Sequence, residues 1–178
     1  MKSWMSRLAA AMAGSGILGC AAPKALAGVE PVHGFELERY LGTWHEVARL
    51  DHPFERGVEQ VTATYSLREG GGVRVLNKAY RTEKRVWKQV EGKAFFVGEP
   101  SVGFLKVSFF GPFYGSYVIF DLDTADYGHA FVAGPSTSYL WLLSRTPTIS
   151  DSLRARFISM AAARSFDTAA LIWAQPVQ

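Results

Sequence analysis

Residues 59–81 read EQVTATYSLREGGGVRVLNKAYR and contain two runs in which apolar and polar side chains alternate. Val61, Ala63 and Tyr65 fall on one face of the first run, because successive side chains of a strand point to opposite sides. The three glycines at 70–72 separate the two runs and suit a tight turn. This stretch therefore predicts an antiparallel hairpin with one apolar face.

The same alternation recurs along most of the chain after residue 35. The links between the runs are short and polar or rich in Gly and Pro, and no long helix interrupts them. The eight predicted strands are 44–50, 59–67, 73–81, 85–97, 104–110, 116–123, 129–134 and 139–145. Consecutive short strands with such links indicate an all-β fold, an eight-stranded antiparallel up-and-down β-barrel whose interior holds one small ligand.

One C-terminal helix is predicted after the last long strand. Residues 146–166 read TPTISDSLRARFISMAAARSF, in which apolar side chains recur at helical spacing. Thr148 and Asp151 resemble a capping box and predict where the helix begins. Because a helix with one apolar stripe has to cover it, we expect this helix to pack on the outside of the barrel. A short final strand is predicted at 168–173.

Composition favours one globular domain. The chain has 178 residues, of which 48% are apolar, and this is enough for one sizeable core. A net charge of +3, without a run of Lys and Arg, gives no support for binding to nucleic acid. The single cysteine, Cys20, has no partner for a disulfide within the chain.

The N-terminus has the features of an export signal. Lys2 and Arg7 precede a short apolar segment at 8–18 that is too short to span a bilayer. Residues 1–19 are therefore predicted to be a signal peptide. Cys20 follows it directly, in the position of the lipid-modified cysteine of a bacterial lipoprotein.

A lipidated Cys20 would place the protein at the outer membrane, since Ala21 rather than Asp follows it. Residues 20–34 would then form a lipidated, flexible tether, and 35–178 would form a barrel domain that faces the periplasm. A competing cleavage site after Ala27 would instead release a soluble periplasmic protein. An inert cysteine is the third alternative.

Up-and-down topology assigns each link to one end of the barrel. Trp44 near the start of the first strand, the turn at 123–128 and Arg145 at the end of the eighth strand share one end. We expect the guanidinium of Arg145 to stack on Trp44 and close this end as a floor.

The other end is the predicted mouth. Its links contain Phe54, Arg56, Phe110, Phe113 and Tyr114, beside further cations at 84 and 85. Aromatic and cationic side chains at an opening suit an amphiphile with an anionic head group, or contact with a membrane surface. Two alternatives are that Phe110 and Phe113 pack under their own loop or that they form a dimer contact.

Alternation also selects the side chains that should point into the barrel. Counting from Trp44 places Glu46, Ala48 and Leu50 inside, with His45, Val47 and Arg49 outside. The predicted ligand-binding residues are Glu46, Ala48, Val61, Ala63, Tyr65, Asn77, Phe95, Phe109, Tyr117, Tyr139 and Trp141, and Val107 shares their face. This set is mostly apolar with a few polar groups, as in a small-molecule pocket.

Glu46 is the exception in this set, because a buried carboxylate needs a partner or a raised pKa. One interpretation is a hydrogen bond to tyrosines of the barrel or to an arginine near the floor. The other is that Glu46 favours a ligand with a cationic or neutral head group.

The residues around Glu46 do not form a catalytic or metal-binding motif. His45 and Glu46 are adjacent on a strand and face opposite sides, and His52 with Asp51 and Glu55 falls short of a zinc ligand set. No serine lies in a nucleophile elbow of the mature chain. We therefore assign no catalytic residue, no metal ligand and no cofactor.

Three short motifs carry a resemblance to a known family. Gly42-Thr43-Trp44 opens the first predicted strand, Asp126-Tyr127 precedes the seventh, and Arg145 ends the eighth. In this order, and with their flanking residues, they resemble the signature of the lipocalins. Over about residues 33–175 the chain is similar to the branch that holds bacterial outer-membrane lipocalins and apolipoprotein D.

The resemblance implies a barrel that is closed at one end and binds a hydrophobic ligand. For the bacterial branch it implies fatty acids or lysophospholipids, and a homodimer. We therefore expect an outer-membrane lipoprotein, not an enzyme, that stores or transports such lipids in envelope maintenance or stress. Two alternatives are a lipocalin-fold enzyme that modifies a lipid or carotenoid, and a surface interaction module with an incidental pocket.

Overall fold

A computed structural model describes residues 23–175, with the side chain of Phe54 excepted. The predicted signal peptide and Cys20 lie outside the described residues. The elements are α1 (Leu37–Tyr40), β1 (Gly42–Arg49), β2 (Val58–Leu67), β3 (Val73–Arg81), β4 (Val86–Phe96), β5 (Phe104–Ser108), β6 (Gly115–Leu122), β7 (His129–Ala133), β8 (Leu140–Ser144), α2 (Asp151–Ala162) and β9 (Ile172–Trp173). Short 3₁₀ turns lie at Pro53–Glu55 and Thr168–Ala170. In this part of the chain, no helix is long and apolar enough to cross a bilayer.

The strands form one closed antiparallel barrel. Each strand from β1 to β8 pairs with the next, and β1 also pairs with β8, which closes the sheet. The short β9 adds to β1 through the pair Ala48 and Trp173. The predicted eight-stranded up-and-down barrel is confirmed, and closure leaves the eight main strands without a long exposed edge.

A bulge in β1 reverses the alternation that predicts which side chains of this strand point into the barrel. Glu46 lies opposite Leu143 of β8, but the register shifts before Ala48, which lies opposite Leu142. Val47, Ala48 and Leu50 therefore all pack in the layer outside the barrel wall. The prediction that Ala48 and Leu50 face the interior is wrong, because a one-residue bulge turns the following side chains to the other face.

Two apolar layers hold the fold together. The first fills the floor and the lower interior of the barrel and is built around Trp44, Tyr65 and Ile119. The second lies between the barrel wall and α2, where Phe157 of the helix meets Phe131 of β7 at 4.9 Å between ring centres. The helix thus packs on the outside, as predicted.

The start of α2 differs from the prediction. The hydroxyl of Ser150, not of Thr148, accepts a hydrogen bond from the backbone N–H of Leu153 at 3.2 Å and caps the helix. Phe157 and Ala161 are buried, as expected from the apolar stripe. The side chain of Arg156 also donates to Asp121 of β6 at 2.5 Å and attaches the helix to the wall.

The segment before the barrel is packed rather than free. Val29 is fully buried in the outer apolar layer, together with Ala25 and Leu26 at its edge. The backbone N–H of Val32 donates to the carbonyl of Ile119 at 2.8 Å. We expected residues up to 34 to be a flexible tether, but residues 25–33 belong to the folded body.

Candidate ligand-binding site

The floor of the barrel is closed by an arginine over a tryptophan. The guanidinium of Arg145 lies 3.9 Å from the centre of the Trp44 ring. It also donates to the backbone carbonyls of Leu41, Thr43 and Arg39 at 2.9, 3.0 and 2.8 Å. These bonds satisfy carbonyls at the start of β1, so a single side chain caps the strand and covers the aromatic ring.

Gly42 makes room for this arginine. Its φ of +95° lies in the left-handed region that favours glycine, and a Cβ there would come within 3.3 Å of Arg145 Nη1. The glycine of the predicted signature is therefore explained by the space that the Arg145 side chain occupies.

The turn at 123–128 completes the floor. The carboxylate of Asp123 accepts backbone hydrogen bonds from Ala125, Asp126 and Gly128 at 3.2, 3.3 and 3.1 Å. Burial opposes ionisation of Asp123, but these hydrogen bonds outweigh it and lower the pKa of the carboxyl. Asp126 is exposed, so the carboxylate that organises the turn is that of Asp123 and not that of Asp126 in the predicted signature.

Tyr127 is buried beneath this turn with a φ of +54°, and its hydroxyl accepts a hydrogen bond from the backbone N–H of Glu36 at 3.0 Å. The guanidinium of Arg39 lies 4.2 Å from the centre of the Tyr127 ring. These contacts join α1 to the turn, and together they seal the floor from outside.

Most residues predicted to face the interior do so. Asn77 lies opposite the inward-facing Ala63, and Val61 is buried on the same face of β2. The residues that pack in or against the inner apolar layer are Ala63, Tyr65, Val107, Phe109, Tyr117 and Trp141. Tyr139 stacks on His52 near the mouth, with ring centres 5.6 Å apart. Contact of these side chains with a ligand stays a prediction.

The prediction that Phe95 faces the interior is wrong, as it is for Ala48. Its ring lies on the outer face, under the guanidinium of Arg68 at 5.6 Å and beside Tyr114 at 6.3 Å between ring centres. The neighbouring Ala94 and Phe96 face inward instead. The Phe95-Phe96 pair contains no alternation, so the sequence offered no local indication of which ring is inside.

Three tyrosine hydroxyls meet inside the barrel. The hydroxyl of Tyr117 lies 2.7 Å from those of both Tyr40 and Tyr65. Burial raises the pKa of all three phenols, so they stay protonated at neutral pH. The lower interior thus combines apolar packing with uncharged hydroxyl groups.

A buried charged cluster lies higher on the inner wall. Arg49 is turned inward by the bulge, opposite Trp141, and its Nη1 donates to Glu46 Oε1 at 2.7 Å. Its Nη2 donates to the carbonyls of Glu55 and Val58 at 3.0 and 3.2 Å. The prediction that Arg49 points outward is wrong, and the partner of Glu46 lies on its own strand rather than at the floor.

The side chain of Glu55 connects the mouth loop to this cluster. Its Oε2 lies 2.8 Å from Nε2 of His52 and accepts from the indole N–H of Trp141 at 3.3 Å. Burial raises the pKa of Glu46 well above its usual value, and the nearby Glu55 adds to this effect. Burial opposes ionisation of Glu55 too, but His52 and Trp141 outweigh it and lower its pKa.

Strand alternation gave no indication that Arg49, His52 and Glu55 meet Glu46 in this cluster. The spacing of Glu46 and Arg49 by three residues places them on opposite faces of a regular strand, and only a bulge brings them together. Among the described residues, no group of three or more His, Cys, Asp or Glu side chains is arranged to hold a metal ion.

The predicted mouth residues have different environments. Phe110 and Phe113 are 74% and 79% exposed, so the alternative that they pack under their own loop is wrong. Arg56 is exposed and paired with Asp51 at 2.8 Å. Tyr114 lies on the outer wall, where the ammonium groups of Lys93 and Lys106 are 5.8 and 5.3 Å from its ring centre. The side chain of Phe54 lies outside the described part.

A closed barrel with a sealed floor, an apolar lower interior and a polar cluster towards the other end is an architecture typical of ligand-binding barrels. The chain belongs to the lipocalin family: the family model described as a lipocalin-like domain matches residues 35–176. This confirms the family to which the three motifs pointed.

Known relatives match most of the chain. A protein of Vibrio cholerae named outer membrane lipoprotein Blc is 60% identical over 147 residues, which cover 83% of this chain and 86% of that protein. The Escherichia coli K12 protein of the same name is 52% identical over 168 residues, or 94% of each chain. Temperature-induced lipocalin-1 of Arabidopsis thaliana is 34% identical over 153 residues, or 80% of each chain.

Solved structures show the same fold in more distant proteins. Insecticyanin of the tobacco hornworm Manduca sexta superposes with a TM-score of 0.66 at 20% identity, covering 88% of this chain and 89% of that one. Lobster apocrustacyanin A1 gives a TM-score of 0.62 at 18% identity, covering 87% and 94%. At such identities the likeness concerns the fold alone.

Proposed function

We propose that this protein binds a single-chain lipid, a fatty acid or a lysophospholipid, inside the barrel and stores or transports it. The observation that carries the proposal is the asymmetry of the barrel. Arg145 and Trp44 seal one end at 3.9 Å, whereas the charged cluster around Arg49 lies towards the other. An acyl chain suits the apolar interior and a polar head group suits the open end.

The interior side chains support an acyl chain as the occupant. The small Ala63 lies on the inner face of β2, and the aromatic rings of Phe109 and Trp141 pack against the same apolar layer. The hydroxyl groups of the tyrosines are bonded to one another, so they do not oppose an apolar neighbour. We propose binding rather than catalysis for this interior.

For location, we propose a lipid anchor on Cys20 that holds the barrel at the outer membrane, facing the periplasm. The names of the Vibrio cholerae and Escherichia coli relatives support this location. Incorporation of labelled palmitate should be abolished by Cys20→Ser. Labelling that persists in this variant would contradict the anchor, and a soluble mature protein that begins at Gly28 would support cleavage after Ala27. A function in envelope maintenance or stress would follow from this location.

The lipid itself can be identified by native mass spectrometry and solvent extraction of the purified protein. We expect co-purified acyl lipid at a near-stoichiometric level. Ala63→Trp should fill the interior and abolish uptake of a fluorescent fatty acid. Thr62→Trp, which adds the same ring at the preceding residue, on the outer face of β2, is the matched control and should bind normally. Equal binding by both variants would contradict a ligand inside the barrel.

A further inference from the structure

The hairpin formed by β3 and β4 extends beyond the neighbouring strand β5. In the described part of the chain, β5 pairs with β4 only from Lys93 to Phe96, so residues 86–92 have one edge without a partner strand. The backbone N–H and the hydroxyl of Thr82 both donate to the carbonyl of Gly57 at 3.3 Å, which attaches the turn to the mouth loop between β1 and β2. The hairpin is therefore a raised edge of the mouth.

Both faces of this raised edge are open to solvent. Every residue of β4 from Val86 to Glu91 is exposed. On the outer face, Trp87 is 49% exposed, and its ring centre lies 4.5 Å from the ammonium of Lys78. Val86 and Val90, which are 44% and 41% exposed, lie on the other face. Apolar side chains thus stand on both sides of the same two-stranded ribbon.

Positive charge is concentrated on the same hairpin. Residues 78–88 contain five cations and one carboxylate, so they hold a net charge of +4, whereas the whole chain holds +3. The five cations are Lys78, Arg81, Lys84, Arg85 and Lys88. Among the described residues, no carboxylate forms an ion pair with any of them. The rest of the chain is close to neutral, so the hairpin is where the protein attracts anions.

The turn of the hairpin holds an arginine where the backbone favours glycine or asparagine. The φ of Arg85 is +53°, in the left-handed region, and its backbone N–H donates to the carbonyl of Thr82 at 3.2 Å. Its side chain is exposed and has no ion pair with any described residue. The local conformation therefore opposes an arginine, and a contact of the cation outside the protein explains its presence.

We propose that the β3–β4 hairpin docks the mouth of the barrel on a bilayer surface that contains anionic phospholipids. Lys and Arg side chains are attracted to the phosphate groups of such a surface, and Trp side chains are enriched at the boundary between head groups and acyl chains. The apolar groups on both faces favour lipid over a rigid protein partner, because a rigid surface covers one face whereas lipid surrounds an inserted edge. This docking goes beyond lipid binding inside the barrel, since it assigns a function to an outer surface.

The test uses the Cys20→Ser chain without residues 1–19, so that no lipid anchor contributes. Sedimentation with vesicles compares phosphatidylcholine alone with a mixture that contains about one third phosphatidylglycerol. We expect about tenfold or tighter binding to the anionic vesicles, and loss of this preference at high salt, because salt screens the contacts between charges. Equal binding to the two kinds of vesicle would overturn the proposal.

Charge reversal locates the docking surface. Lys84→Glu/Lys88→Glu should lower the affinity for anionic vesicles about tenfold or more. The matched control is Lys24→Glu/Arg154→Glu, which reverses two exposed cations on the N-terminal segment and on α2 and should bind as the wild type does. Undiminished binding by the hairpin variant would contradict the surface. A hairpin variant that loses self-association but keeps its vesicle affinity would assign the edge to a contact between copies of the chain instead.

Arg85→Asn separates docking from stability. Asparagine accepts a positive φ more readily than arginine, so this variant should have a higher midpoint of thermal unfolding but about fivefold lower affinity for anionic vesicles. A structural contribution of the arginine would lower the unfolding midpoint instead. Unchanged vesicle affinity would show that this cation does not contact the bilayer.

Quenching of tryptophan fluorescence reports whether the hairpin enters the bilayer. Vesicles with brominated acyl chains should quench the fluorescence of the wild type, and most of this quenching should be lost in Trp87→Phe, because the ring of Trp87 is exposed whereas that of Trp44 is buried. Equal quenching of both proteins would place another part of the chain in the bilayer and would contradict the proposal.

The outcomes for this docking surface and for the proposed function differ. Uptake of a fluorescent fatty acid from solution should be unchanged in Lys84→Glu/Lys88→Glu, whereas its transfer from anionic vesicles should slow about tenfold. Docking by a protein that takes up no fatty acid would keep the surface and overturn the proposed function. Uptake without any preference for anionic vesicles would overturn the docking surface and keep the lipid-binding barrel.

Discussion

The guanidinium of Arg145 lies 3.9 Å above the ring of Trp44 and bonds to carbonyls at 39, 41 and 43, so the end of β8 closes the start of β1. We expect Arg145→Met to lower the free energy of unfolding by about 2–4 kcal/mol, because it removes the cation–π contact and leaves several carbonyls without donors. Urea denaturation followed by circular dichroism measures this. Arg74→Met, which removes one exposed ion pair with Glu91, should cost under about 1 kcal/mol. An equal loss of stability in the two variants would show that the contacts of Arg145 at the floor contribute little to the free energy of unfolding.

The raised pKa of Glu46 predicts a specific dependence of stability on pH. A carboxyl whose pKa is higher in the folded state holds its proton more tightly there, so its contribution is complete at low pH. That contribution is lost as the pH rises above the unfolded value of about 4.3 towards the folded pKa. We expect the wild type to lose stability relative to Glu46→Gln as the pH rises through this window, as measured by urea denaturation.

A matched control for this prediction is Glu91→Gln. The hydrogen bond from Arg74 lowers the pKa of Glu91, so its contribution is present at neutral pH and is lost as the pH falls. The stability difference between wild type and this variant should therefore change only below about pH 4.3, with the opposite sign. A difference between wild type and Glu46→Gln that is constant from acid to neutral pH would show that Glu46 ionises normally.

The cap of α2 can be tested by a pair of alanine substitutions. Ser150→Ala removes the hydroxyl that accepts from Leu153 N–H and should cost about 1 kcal/mol. Thr148→Ala should cost less than half as much, because the side chain of Thr148 does not cap the helix. Thermal or urea unfolding of the two proteins compares them directly, and a larger loss for Thr148→Ala would restore the capping box predicted from the sequence.

The exposed rings of Phe110 and Phe113 predict an assembly through the mouth. The resemblance to the bacterial lipocalins implied a homodimer, and two rings that are 74% and 79% exposed suit such a contact. We expect the double variant Phe110→Ser/Phe113→Ser to shift the protein towards the monomer in analytical ultracentrifugation. Leu67→Ser, which alters a leucine that is 62% exposed at the other end of β2, should leave the assembly unchanged. A wild type that is monomeric would contradict the homodimer.

The fold was predictable where alternation is unbroken. In β2 and β3, Ala63 lies opposite Asn77 and Tyr65 lies opposite Val75, on the face that the alternation of 61–67 and 73–81 predicts. Such a pattern depends only on neighbouring residues, so it can be read without knowledge of the rest of the chain.

The candidate site was less predictable, because it depends on a local irregularity. The bulge in β1 moves Ala48 out of the barrel and brings Arg49 in, and nothing in the composition of this strand marks it. Glu55 reaches the cluster from a loop whose path is set by contacts with Trp141 on a distant strand. Tertiary contacts of this kind are not contained in a periodic pattern.

A lipid anchor on Cys20 would hold the barrel close to the membrane, because the segment before the barrel is packed against it. Among the described residues, Ala25 is the first that packs against the outer apolar layer, and Cys20 precedes it by five positions in the sequence. Fully extended, that length of chain spans about 17 Å. A barrel anchored at Cys20 would therefore remain within roughly one leaflet's thickness of the bilayer surface. It would exchange lipid by collision with that surface rather than by crossing the periplasm.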